Sequence, residues 1–300
     1  MKIQSKIFYS YISLVIIYVL LTFLPEPAKA TLTRYHVQPD VLRLLYITLV
    51  LPILLLWFAI FYGYAQLRRY GKLIKDNRDG IPVAKLSTGL FVFAFGMPIS
   101  SILASTLKLI ANAHPGFSGA STIISNYFQV AYLVVAFLFV SLAARGLSAL
   151  SRSRPSLGVV NVVVLVSIVL GVVYCALIAS AHHNIVTNYH MSYIWVMLTF
   201  GIPYIYIWFL GLYAIAEMYA YSKHVSGVVY RKAWDRLTFG IGAVIVTNIS
   251  IQYLSTLVTW LNSLTLDRVL LLLYVLLLLF AGSFIVVALG AKQLMKIEEV

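Results

Sequence analysis

Four side chains in one apolar segment share a helical face and could carry hydrogen-bonding chemistry inside a membrane. Ser101, Ser105, Lys108 and Asn112 are spaced by four, three and four residues, the interval that stacks side chains on one side of an α-helix. Adding 151 to each number gives Gln252, Thr256, Thr259 and Ser263, so the stripe is polar in both places. Polar groups in hydrocarbon are costly and face a partner helix or a wet cavity. The eight side chains could therefore line a path or binding pocket for a small polar solute, and Lys108 would favour an anionic one. They could equally hydrogen-bond across a helix contact and only hold it together, at about 0.6 kcal/mol each.

The offset of 151 is not confined to the stripe. It lays Pro52 on Pro203, Trp57 on Trp208, Phe58 on Phe209, Tyr62 on Tyr213, Ala65 on Ala216, Tyr70 on Tyr221 and Lys72 on Lys223. The register runs on without a gap, placing Lys85-Leu86-Ser87-Thr88-Gly89-Leu90 over Arg236-Leu237-Thr238-Phe239-Gly240-Ile241. Apolar segments match one another by composition, but Trp, Pro and Lys at fixed spacing do not. The chain reads as a tandem duplication, residues 1–150 and 151–300.

The elements that must hold these residues are transmembrane helices. The chain is 62% hydrophobic and 10% charged, with mean hydropathy +0.94, too little polar surface for a water-soluble globule. A helix needs about 20 apolar residues to cross about 30 Å of hydrocarbon. Eight such stretches stand out, at roughly 7–24, 41–67, 88–111, 126–149, 158–181, 193–221, 237–260 and 269–291. The expected fold is all-α: a polytopic membrane protein of eight helices, built as two four-helix repeats. Because four is even, the repeats lie the same way up about a two-fold along the membrane normal.

Lys and Arg are retained on the cytoplasmic side of span ends. On this reading 17 of the 22 lie on one side and five on the other, which puts both termini in the cytoplasm and the chain in a plasma (inner) membrane. The net charge of +13 is mostly this bias and not a nucleic-acid footprint. The run Arg68, Arg69, Lys72, Lys75, Arg78 and Lys85 could also hold anionic lipid headgroups, at about 1 kcal/mol per near-surface charge. Lys2, Lys6 and the apolar run ending at Ala28-Lys29-Ala30 imitate a signal peptide. The duplication instead makes that run the partner of the fifth span, and it is expected to be retained.

None of the six histidines, His36, His114, His182, His183, His190 and His224, falls mid-span, so haem held between helices is not expected, and neither is a metal or any other cofactor. Cys175 is the single cysteine and reads as a small core residue. Glu217, the one acid in any span, is expected as a solvated carboxylate at the headgroup interface, and Asn161 and Asn248 as helix glue. Trp57, Trp208, Tyr62, Tyr64, Tyr70, Tyr213, Tyr219 and Tyr221 read as an aromatic belt at the cytoplasmic ends. Pro52, Pro98 and Pro203 are expected to kink their helices.

Gly116-Phe117-Ser118-Gly119 resembles the Gly-x-Ser-Gly element of rhomboid-type intramembrane serine proteases, over those four residues only. The partner histidine that the resemblance implies deep in a later span is missing. Three readings follow, in order: a transporter- or channel-like conduit between the repeats; a non-catalytic structural or accessory subunit, or sensor, with a membrane-protein partner; and a lipid- or peptide-modifying enzyme.

Overall fold

The computed structural model describes residues 2–23, 39–152, 154–181, 194, 197–260 and 266–299. These residues are helical almost throughout. The α-helices are α1 (Lys2–Phe23), α2 (Pro39–Leu73), α3 (Gly80–Ala113), α4 (Ser118–Leu150), α5 (Leu157–Ala181), α6 (Ile202–His224), α7 (Val228–Trp260) and α8 (Leu266–Glu298). Among the described residues, α2 to α8 each contain a segment long and apolar enough to cross a membrane, whereas the apolar part of α1, Lys6–Leu21, is shorter. The architecture is that of a helical membrane protein.

The short connections are set by backbone geometry. Between α2 and α3 the chain reverses through Asn77 N–H to Ile74 O and Gly80 N–H to Asn77 O, both 2.9 Å. A Cβ on Gly80 would stand 2.5 Å from Ile74 O, so only glycine fits this turn. The corresponding link from α6 to α7 turns on Gly227, whose φ of +88° is left-handed backbone that other residues avoid.

The prolines act differently from one another. Pro52 lies inside α2. Pro203 opens α6 directly after a π-turn at Met197–Gly201, where the wider winding accommodates a ring that would clash with a regular preceding turn. The continuous sixth span expected over 193–221 is therefore interrupted near its start.

Six helices form a closed circuit of contacts, α2 to α3, α3 to α4, α4 to α6, α6 to α7, α7 to α8 and α8 back to α2. Helix α1 rests on α2 and α3, and α5 on α6 and α7. Glycines permit the closest approaches. A Cβ on Gly89 would lie 2.9 Å from Ala136 O, and one on Gly240 would lie 2.8 Å from Val287 N. Each glycine thus lets its helix pack directly on the backbone of the next. Helix α5 has the most exposed apolar surface, including Val162, Leu165, Ile168 and Val172, as a helix facing lipid should.

Candidate functional site

The interior of the helix circuit carries no polar lining where α3, α4, α7 and α8 meet. A small cavity there is walled by Gly89, Leu90, Phe93, Ala136, Phe137, Val140, Ile241, Val244, Ile245, Phe284 and Val287. Phe93 packs against Phe280 at 5.9 Å and 88°, Phe284 at 5.6 Å and 51°, and Phe137 at 6.1 Å and 84°. These offset and edge-on contacts are the favourable arrangements for aromatic rings. With only apolar atoms on its walls, such a space offers water no hydrogen-bond partner.

The polar stripe lies farther along the same helices. Ser101 and Ser105 are half-buried, while Lys108 and Asn112 are exposed. The Ser101 hydroxyl donates to Met97 O of its own helix at 3.1 Å. Gln252 is buried. The side chains of Thr256 and Thr259, and the whole of Ser263, lie outside the described residues. Other buried hydroxyls follow the pattern of Ser101: Ser167 donates to Val163 O at 2.7 Å, Ser222 to Tyr219 O at 3.0 Å and Ser283 to Leu279 O at 2.8 Å. Back-bonding of this kind satisfies a hydroxyl without committing it to a solute.

Polar chemistry concentrates instead at the end where α2 meets α3 and α6 meets α7. Tyr70 and Tyr230 share a hydrogen bond of 3.0 Å between their hydroxyls, Tyr221 donates to Asp79 Oδ2 at 2.9 Å, and Tyr230 donates to Glu298 Oε1 at 3.2 Å. Arg236 Nη1 donates to Gln293 Oε1 at 3.0 Å. The Tyr70 and Tyr221 bonds tie residues 1–150 to residues 151–300. Sequence reasoning saw both tyrosines as matched positions but missed their partners. Asp79 and Tyr230 are also 151 apart, and their different types hid the correspondence.

Several expectations are corrected here. Trp57, Trp208, Tyr70 and Tyr221 are core residues and not a lipid-facing belt, although Tyr62 and Tyr219 are exposed. Glu217 is buried, not solvated: Tyr213 donates to its Oε1 at 2.5 Å, and its Oε2 has no partner. Asn161 is exposed, and Asn248 is buried with Oδ1 unpaired, so that oxygen glues no helix contact. His114 and His224 are exposed, and the other four histidines lie outside the described residues. Cys175 is half-buried, with Gly201 giving it room.

No family model matches the chain, and no curated protein or solved structure matches it either.

Among the described residues, the outside of the bundle carries two larger clefts at the basic end. One, about 490 Å³, is lined in part by Tyr64, Arg68, Lys72, Ser87, Thr88 and Phe91 of α2 and α3 and by Lys75 of the link between them. The other, about 720 Å³, is lined in part by Ile215, Tyr219, Lys223, Arg231, Asp235, Thr238, Phe239 and Gly242 of α6 and α7. Arg69 and Lys85 belong to the same basic end but not to the cleft wall, and Arg78 lines a separate hollow with Asp79, Tyr221 and Tyr230.

Proposed function

We propose that the protein is a non-conducting structural or accessory subunit of a membrane complex, made of two like-oriented four-helix halves that clasp each other across a dry aromatic seam. The observation that carries this reading is the cavity where α3, α4, α7 and α8 meet, which is small, apolar on every side and closed in by Phe93, Phe137 and Phe284. A solute path at that place would need to replace hydration with polar groups, and none of those side chains supplies one.

The duplicated arrangement is supported by the way contacts exchange. Adding or subtracting 151 converts the α2–α8 packing into α6–α4, the α3–α4 packing into α7–α8, and the α1 contacts into those of α5. The same operation converts the Tyr70–Tyr230 bond into Tyr221–Asp79, and the Gly89–Ala136 approach into Gly240–Val287. A two-fold along the membrane normal produces these exchanges. On this reading the basic end, with the α2–α3 and α6–α7 links, is cytoplasmic, as expected for a plasma-membrane protein with both termini inside.

The conduit keeps a second place because the stripe Ser101, Ser105 and Gln252 is at least partly buried beyond the phenylalanine seam. It would operate only if the seam opens. Flux through proteoliposomes separates the two. Release of small polar and anionic solutes should equal that of protein-free vesicles. Solute release that Ser105→Leu abolishes would establish the conduit and remove the scaffold reading.

A further inference from the structure

We infer that the two outer clefts are paired phospholipid sites, each taking the lipid phosphate at its basic end and an acyl chain along its apolar wall. The clefts are the same feature twice. Tyr64, Arg68, Lys72, Ser87, Thr88 and Phe91 of the first stand 151 positions from Ile215, Tyr219, Lys223, Thr238, Phe239 and Gly242 of the second. This holds whether or not the seam conducts.

The occupant is set by the polarity along each cleft. In the second cleft, Arg231 and Lys223 stand at the loop end, followed along α7 by Thr238, Phe239, Gly242 and Val246. Arg231 to Val246 spans about 22 Å at 1.5 Å per residue. That reaches from the headgroup region past the middle of a leaflet about 15 Å deep. Phe239 is an exposed ring beside this track. A soluble anion would use only the basic end and leave the apolar wall bare. A phospholipid uses both.

Two observations bear on the polar groups here. Thr238 is among the residues of the cleft wall, and its hydroxyl is buried beneath that wall with no hydrogen-bond partner, a condition that native proteins rarely tolerate. The cations are held in place before any ligand binds: Lys223 Nζ sits 4.4 Å from the Tyr219 ring centre, and Arg68 donates to the Tyr64 hydroxyl at 2.5 Å. The two clefts differ in charge. The first has three cations, Arg68, Lys72 and Lys75, and no acid in its wall; the second offsets Lys223 and Arg231 with Asp235. The first should therefore prefer anionic headgroups more strongly.

Native mass spectrometry of the full chain in detergent, titrated with phosphatidylglycerol, phosphatidylcholine or inorganic phosphate, tests this. Two phosphatidylglycerols should be retained, with phosphatidylcholine weaker and inorganic phosphate unable to displace them. Arg68→Ala with Lys72→Ala should weaken one site and Lys223→Ala with Arg231→Ala the other, by about fivefold per cation removed. Gly242→Phe leaves every charge in place. Because a Cβ there meets only Ile215, at 3.7 Å or more, the ring should fill the track and remove one lipid. Unchanged lipid retention in all three variants would overturn the proposal, as would equal binding of the two lipids or displacement by inorganic phosphate.

Discussion

The two halves of the chain use the same helix order and the same close approaches, yet they fill their interiors with different side chains. Each half buries a tryptophan on its second helix against a tyrosine from its first: Tyr18 on Trp57 at 4.6 Å, and Tyr174 on Trp208 at 4.8 Å. The first half then extends through Tyr11, Phe61 and Phe95, with the Tyr11 hydroxyl donating to Trp57 O at 2.5 Å. The second extends through Tyr204 and Tyr253, whose hydroxyl donates to Leu170 O. At the seam the match is large against small. Phe93 answers to Val244, Phe284 to Leu133 and Phe137 to Ala288. Strict symmetry would put like side chains opposite each other on the axis. The departure from it lets three rings close the centre: the close helix approaches are alike in the two halves, while the side chains that enclose the space between them differ in volume.

If both halves depend on the same anchor, removing it from either should hurt equally. Trp57→Ala and Trp208→Ala should each destabilise by about 3–5 kcal/mol, read as a lowered unfolding midpoint in detergent; a large loss in one half alone would break the equivalence. The glycine crossings come next. Gly89→Val and Gly240→Val should each cost about 1–3 kcal/mol through overpacking against Ala136 and Val287.

Glu217 and its counterpart Gln66, both buried, sharpen the comparison. Glu217→Gln should leave stability unchanged or raise it, because a buried carboxylate with one unpaired oxygen becomes the neutral amide that the first half already uses. Tyr213→Phe should cost about 1–3 kcal/mol by leaving that carboxylate with neither oxygen bonded. The smallest effect is expected at the basic end. Tyr70→Phe and Tyr221→Phe should each cost about 0.6 kcal/mol, and a thermal midpoint shift confined to one of them would show that the two inter-half bonds are not equivalent.

The helical membrane architecture was legible in the sequence, from the length and hydropathy of its apolar segments. Pro52, Trp57, Tyr70 and Lys72 lie on α2, and the residues 151 positions on lie on α6. The rotation of each helix was not legible. Helices apolar all round have no sequence stripe to tell the core from lipid, so Trp57 and Trp208 read as a belt when they are core, and Glu217 read as solvated when it is buried. The clefts were half visible: the run from Arg68 to Lys75 stood out as charge, whereas Lys223 and Arg231 did not, because Asp235 dilutes them. The seam had no signal, since Phe93 is far in sequence from Phe280 and Phe284, and all three are unremarkable among 16 phenylalanines.

Water access to the seam tests the central claim most directly. In a Cys175→Ser background, a cysteine replacing the buried Ile245 on the cavity wall is exposed to a small water-soluble thiol reagent in proteoliposomes. A second chain carries its cysteine at exposed Lys292 as the positive control. A dry seam should leave position 245 unmodified when position 292 has reacted to completion. Modification at 245 on the same timescale would mean a hydrated centre, and the non-conducting account would be wrong.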